Sequence, residues 1–248
     1  MNAVLVSVRE LEAGYSRDSA AIRGVAFEVA GGESVAVLGP NGGGKTTLFR
    51  ALLGEAPHQS GEVRVEGGIA YVPQTERSRL DFPVSALDVA LMGTYASLPW
   101  HRRIGKAERD RAREALRRVG LSAEEGTTFG SLSGGQRQRV LIARALARDA
   151  RVVLLDEPLS GVDAVSARLV GQVLDELRAE GRALLVSTHD VAEARGADKV
   201  LCIHRDQIAF GTPAEALTAG ALAKTYGSEL VLLPDGSEAI VVQHHSHE

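Results

Sequence analysis

The stretch Ser34-Val35-Ala36-Val37-Leu38-Gly39-Pro40-Asn41-Gly42-Gly43-Gly44-Lys45-Thr46-Thr47-Leu48-Phe49 decides the fold. Its first five residues are an apolar run of buried-strand type, and Lys45 to Leu53 reads as a helix closed by Gly54. Between them, Gly39 to Thr46 fits the pattern G-x-x-x-x-G-K-[ST]. Glycines let consecutive backbone N–H groups turn onto one anion, and the helix N-terminus behind them adds partial positive charge. Gly39, Pro40, Asn41, Gly42, Gly43, Gly44, Lys45 and Thr46 are therefore the candidate cradle for a nucleotide's phosphates, with Thr47 next on the helix. Lys45 pairs with the β- and γ-phosphates in this reading, and the Thr46 hydroxyl holds Mg²⁺.

Upstream, Val4-Val6-Val8 and Val25-Phe27-Val29 alternate as strands do and predict an antiparallel flap ahead of the main fold. Downstream, Val63-Val65 and Ile69 to Val72 predict short strands. From Pro83 to about Ala147 the apolar residues recur at helix spacing (Leu87, Leu91, Ala115, Leu116, Val119). Arg151 to Leu155 and Ala183 to Val186 are runs of parallel-strand type, separated by a helix around Ser166 to Arg178. Alternating strands and helices argue for an α/β sheet with helices on both faces. The helical stretch, about 75–147, reads as an insertion into a core that extends to residue 226. Thr212-Pro213-Ala214-Glu215 is a helix-start signal. Residues 227–248 read as a hairpin turning at Asp235-Gly236, followed by a tail with His244, His245 and His247.

Composition narrows the function. The 248 residues are 44% hydrophobic and 24% charged, which suits globular domains with a proper core. A formal net charge of −4 argues against holding nucleic acid by bulk positive charge. No apolar run approaches the roughly 18 residues that cross a membrane, and no signal peptide is expected. The single cysteine, Cys202, lies in an apolar stretch and reads as a core residue in a reducing compartment. Of 28 basic residues, only Lys45, Lys106, Lys199 and Lys224 are lysines.

Two further constellations carry chemistry. Arg151-Val152-Val153-Leu154-Leu155-Asp156-Glu157-Pro158 delivers adjacent carboxylates at a strand's C-terminal end, where ligands bind in open α/β sheets. Successive side chains of a strand point to opposite faces, so Asp156 can serve Mg²⁺ while Glu157 polarises an attacking water. Leu132-Ser133-Gly134-Gly135-Gln136 opens a strongly periodic helix. Ser133 and Gln136 form a reciprocal cap there, and the bare glycine N–H groups make a second anion site.

Taken in order, these motifs resemble those of the ATP-binding cassette ATPases, to about residue 226. The resemblance implies a P-loop NTPase core with an antiparallel β flap and an inserted α-helical subdomain. Tyr15 resembles the aromatic residue that stacks on adenine. Gln74, in Tyr71-Val72-Pro73-Gln74, matches the glutamine that senses Mg²⁺ and couples to the membrane partner. Ser133, Gly134, Gly135 and Gln136 match the signature, Asp156 and Glu157 the metal-holding and catalytic carboxylates. Asp163, in Ser160-Gly161-Val162-Asp163, matches the loop that crosses the dimer interface, and His189 the switch histidine on the γ-phosphate. Glu157, His189, Lys45 and Gln74 are thus the implied catalytic set; Thr46, Gln74 and Asp156 are the implied metal ligands. Departures are small: Gly43 stands where serine or alanine is usual, Leu159 for a common threonine, and Val162 for a common leucine.

The resemblance implies two copies closing head to tail around two ATP molecules, with a separate membrane permease as partner. Asp81-Phe82-Pro83-Val84-Ser85-Ala86-Leu87-Asp88-Val89-Ala90-Leu91-Met92-Gly93 is similar to the manganese, zinc and iron importers. That implies a periplasmic or surface substrate-binding protein beyond the permease, and a peripheral position on the cytoplasmic face of the inner membrane. The rival reading is a soluble assembly factor of the iron–sulfur scaffold type. Arg102 to Arg118, with eight basic residues, is either a solvated helix face or a surface attracted to headgroups or to the permease. The histidine tail is either a solvated end or a docking site for a transition ion.

Overall fold

The computed structural model describes residues 2–16, 19–74, 83–99, 102–227, 230–232 and 239–241. The early elements are β1 (Val4–Ser16), β2 (Ser19–Ala30), β3 (Ser34–Leu38), α1 (Lys45–Leu52), β4 (His58–Val65) and β5 (Ile69–Val72). Then come α2 (Ala86–Met92), α3 (Lys106–Arg118), α4 (Gly134–Ala147), β6 (Val152–Asp156), α5 (Ala164–Ala179) and β7 (Ala183–Thr188). The chain closes with α6 (Val191–Arg195), β8 (Lys199–His204), β9 (Asp206–Gly211), α7 (Pro213–Ala216), α8 (Ala219–Tyr226), β10 (Leu230–Leu232) and β11 (Ala239–Val241). None of the described helices is long and apolar enough to cross a membrane. Two units emerge: Met1–Glu66 with Leu185–Glu248, and Gly67–Leu184.

In the first unit the strand order is β4-β1-β2-β9-β8-β3, followed by β7. The flap is antiparallel, with Val8 opposite both Phe27 and Val63. Val6, Val8, Val25, Phe27 and Val29 are buried as the alternation predicts, but Val4 is exposed and Leu5 takes its place in the core. The phase also slips between Arg9 and Glu12, where Glu10 adopts φ 46°, so that Leu11 and Ala13 become the buried residues. Such a bulge lets one strand keep its apolar face inward after the even-numbered pattern ends. β3 is buried throughout and pairs in parallel with β8, Leu38 lying opposite Cys202. A second cluster, including Leu38, Val191, Cys202, Leu222 and Tyr226, joins β3 and β8 to α6, α7 and α8. Cys202 is fully buried, and desolvation pushes its thiol up to about 11, in keeping with a core residue.

In the second unit β5 and β6 are parallel neighbours, Ile69 opposite Val152 and Val72 opposite Leu155. Everything from α2 to α4 is inserted between them. Ser85 starts α2 with a full capping box, its hydroxyl and backbone N–H reaching Asp88. Asp88 is held below the ordinary aspartate range, first by the Ser85 hydroxyl and then by the Ser85 N–H. Among the described residues the basic stretch is ion-paired at four positions: Arg102 to Glu108, Arg113 to Glu125, Arg117 to Glu114, and Arg118 to both Glu176 and Glu180. Arg118 thereby ties α3 to α5.

β10 and β11 pair antiparallel, Leu230 opposite Val241 and Leu232 opposite Ala239. The expected turn at Asp235-Gly236, the tail with His244, His245 and His247, and Asp81-Phe82 lie outside the described residues.

Gly93, the last residue of the importer-like stretch, has an ordinary φ, so its need is steric. A Cβ there would overlap the carbonyl oxygen of Arg144 and crowd Ala147 on α4. Gly93→Ala is expected to destabilise the chain by about 2 kcal/mol through overpacking. Urea unfolding followed by circular dichroism checks this; a midpoint equal to wild type refutes the contact.

Candidate functional site

The first unit contains the loop expected to cradle phosphates. β3 ends at Leu38, and because Leu38 faces Cys202, the next residue meets Ile203. A Cβ on Gly39 would overlap the Ile203 carbonyl oxygen, and one on Gly44 would overlap the Ile22 side chain. Gly42 and Gly44 take φ of 75° and 109°, a region costly for any residue with a Cβ. At Gly43 an added Cβ would lie 3.0–3.2 Å from Pro40 and the Ile203 carbonyl, so the methyl-free residue relieves a tight spot in this loop. The loop is held from outside too. The Arg205 N–H donates to the Gly43 carbonyl at 2.9 Å, and the Arg23 N–H donates to the Arg205 carbonyl at 2.7 Å. Arg205 sits in the turn between β8 and β9 with φ 62°.

Lys45 and Thr47 are buried, Thr46 half-buried. The Lys45 ammonium donates to the carbonyls of Gly39 at 2.7 Å and Pro40 at 3.2 Å, inside the loop it belongs to. Tyr15 is 58% exposed, with the Arg50 guanidinium 5.6 Å from its ring centre, so an exposed aromatic surface is available for stacking.

His189, also in the first unit, follows β7 and is half-buried. The loop around it is fixed by side chains. Thr188 donates to Glu193 at 2.6 Å and accepts from the Asp190 N–H at 3.0 Å. Asp190 caps α6 by accepting from the Ala192 N–H at 2.7 Å.

The second unit brings together Tyr71, Gln74, Asp156 and Glu157. The Tyr71 hydroxyl donates to Asp156 at 3.3 Å, and the Gln74 amide donates to Glu157 at 3.3 Å. Asp156 is buried; Glu157 is half-buried, and its backbone sits at φ 46°. Non-glycine residues held in this region are strained and concentrate at functional sites. The same unit holds two helix caps. Ser133 accepts from the Gln136 N–H at 3.2 Å while Gln136 accepts from the Ser133 N–H at 2.9 Å, the predicted reciprocal cap. Asp163 caps α5, accepting from the Ser166 N–H at 2.9 Å and the Ser166 hydroxyl at 2.8 Å. Those two bonds, the backbone one first, hold its carboxyl below the ordinary range. The caps touch: a Cβ on Gly135 would crowd both Ser166 Oγ and Asp163 Oδ2. Ser133 and Gly134 remain exposed at the start of α4.

The sequence reading assigned no role to Arg205, Tyr71 or Ser166. Tyr71 had a readable signal, standing three residues before Gln74 on a strand. Arg205 and Ser166 act through contacts that only the folded chain creates.

Residues 22–160 match the family model described as ABC transporter. The manganese transport system ATP-binding protein MntB of Halalkalibacterium halodurans is 38% identical, over 98% of this chain and 99% of its own length. The zinc transport system ATP-binding protein TroB of Treponema pallidum is 40% identical, over 99% of this chain and 96% of its own. Among solved structures, an inward-facing metal-chelate type ABC transporter superposes with a TM-score of 0.82 at 32% identity, covering 90% of this chain and 89% of that one.

The strained Glu157 backbone makes a direct prediction. Glu157→Gly removes the Cβ that opposes φ 46° and is expected to raise stability by about 1 kcal/mol while abolishing any activity that needs the carboxylate. Thermal melts of this variant beside Glu157→Gln, which keeps the strain, measure the difference. Equal melting temperatures would contradict it.

Proposed function

This chain belongs to the ABC transporter family, whose cassettes hydrolyse ATP, and from that premise we propose that it powers an importer for a divalent metal cation: manganese, zinc or iron. The observation that carries the metal reading is the span of the resemblance. The manganese and zinc relatives match over at least 98% of this chain, which takes in α2 to α4 as well as the common core. The iron–sulfur assembly reading has no comparable support.

Each residue's proposed role follows from its chemistry. The loop Gly39 to Thr47 receives the phosphates on backbone N–H groups other than those of Pro40, which has none, and Gly43, whose N–H donates to the Pro40 carbonyl; Lys45 exchanges its two loop carbonyls for the β- and γ-phosphate oxygens. Tyr15 stacks on the adenine. Thr46, Gln74 and the buried Asp156 offer the hard oxygen donors that suit Mg²⁺, which supplies charge neutralisation on the phosphates when bound. Glu157 accepts a proton from the attacking water, and Gln74 steers its carboxylate. His189 contacts the γ-phosphate. Ser133, Gly134, Gly135 and Gln136 of a second copy meet that phosphate through the exposed start of α4, and Asp163 supports them through Ser166. The core of this reading is 1–226, with the helical subdomain at about 75–147 and 227–248 as an appendage.

The proposed partners are a second copy of the chain, a separate membrane permease, and a periplasmic or surface binding protein reached through it. The chain would then sit peripherally on the cytoplasmic face of the inner membrane. No nucleic acid enters this reading.

Glu157→Gln is expected to bind ATP and accumulate as an ATP-dependent dimer on size exclusion, with turnover reduced by about 100-fold or more. Turnover near wild type without a dimer would remove Glu157 from its role. The cargo is tested in cells: deleting the gene should lower the accumulation of one of manganese, zinc or iron, and wild-type but not Glu157→Gln chain should restore it. Unchanged content of all three metals would overturn the metal reading while leaving the ATPase intact.

A further inference from the structure

We infer that Tyr226 is a positioning residue for His189, acting through the peptide that joins His189 to Asp190; this rests on the proposed contact of His189 with the γ-phosphate. That peptide is held at both ends. Its carbonyl accepts from the Tyr226 hydroxyl at 3.1 Å, and its N–H donates to Thr188 Oγ1 at 3.0 Å. Thr188 is itself fixed by its 2.6 Å bond to Glu193. With the peptide plane set, the direction of the His189 Cα–Cβ bond is set too, because ψ of His189 can no longer turn freely. The imidazole is then presented to a γ-phosphate from a prepared backbone rather than from a mobile loop.

The tyrosine is well placed to hold rather than follow. It is 3% exposed, and its ring packs in the cluster with Val191, Ala194 and Leu222. Its neighbour Thr225 is buried, and the Thr225 carbonyl lies 2.8 Å from His204 Nδ1 on β8. The end of α8 is thus anchored to the sheet, and the hydroxyl extends from that anchor to the histidine loop. Tyr226 touches no reacting atom in this arrangement; it works through His189.

Tyr226→Phe keeps the ring and removes only the hydroxyl. In the full-length chain it is expected to lower kcat for ATP by about tenfold with KM within about twofold, the signature of a lost contact made late in the reaction. A second readout needs no turnover. In the Glu157→Gln background, Tyr226→Phe and His189→Ala should each reduce the ATP-dependent dimer, and the two together should do no more than His189→Ala alone. Equal kcat in Tyr226→Phe and wild type, or a double variant weaker than His189→Ala by the full single effect, overturns the positioning role. So does a melting-temperature shift with kcat preserved, which marks a purely structural bond. A His189→Ala chain with wild-type turnover and dimer would instead remove the His189 reading, and this proposal with it.

Discussion

Close approach of backbone to backbone is the constraint on which the phosphate cradle depends. The parallel pairing of β3 with β8 runs to Leu38 and Cys202, so the chain leaves the sheet opposite Ile203 with no space for a side chain. Gly39 meets that condition, Gly44 meets a similar one against Ile22, and only afterwards can α1 begin with Lys45. The β8–β9 turn completes the support, its Arg205 N–H holding the Gly43 carbonyl while its own carbonyl is held by Arg23. Inside the loop the Gly43 N–H donates to the Pro40 carbonyl at 3.0 Å, so the turn is braced from within as well as from the β8–β9 turn. The cradle is therefore a property of the sheet's register as much as of its glycines.

The second unit builds its candidate anion site by another route. Ser133 and Asp163 each cap a helix, and the two helix starts are in contact through Gly135 and Ser166. The Ser166 N–H and hydroxyl both donate to the aspartate and both favour its charged form. A displacement of Asp163 by a neighbouring molecule would move Ser166 and press on Gly135. Under the proposed function this is how the loop at the dimer interface and the signature of one chain would report on each other. Glu157 adds a cost of its own, a left-handed backbone that a glycine would relieve and that persists where a carboxylate is needed.

Local patterns were legible in the sequence wherever the physics is local. The bounds of β3 and β5, the start of α1, and the caps at Ser133 and Thr212 follow from runs, glycines and capping pairs within a few residues. Val4 does open β1, but alternation alone cannot tell where a strand begins to face the core, and it is Leu5 rather than Val4 that is buried. The slip at Glu10 was hidden for the same reason. Its partner is Gly61, fifty residues on, where a Cβ would overlap the Glu10 carbonyl. Strands β8 and β9 carried no motif, yet they supply Ile203 and Arg205 to the cradle. The Asp163–Ser166–Gly135 and Tyr226–His189 contacts are likewise products of packing, and neither end announces the other in the sequence.

Charge shows how far composition can be pushed. The scarcity of lysine has a physical counterpart in what the arginines do. Arg118 reaches Glu176 and Glu180 together, and Arg182 reaches Asp149, Glu180 and the Ala150 carbonyl. A planar guanidinium with five donors can join several acceptors on different elements in one geometry, which an ammonium cannot. Such pairs on a solvated surface each contribute little, roughly 0–1 kcal/mol, so their use lies more in fixing where elements meet. Among the described residues Arg102, Arg113, Arg117 and Arg118 are engaged in this way, and their charge is locally neutralised. Lys45 stands in a different situation. Under the proposed function its ammonium leaves the carbonyls of Gly39 and Pro40 for phosphate oxygens whose positions change as a bond breaks. A compact charge on a flexible stem can follow that movement, where a forked guanidinium would be tied to one arrangement.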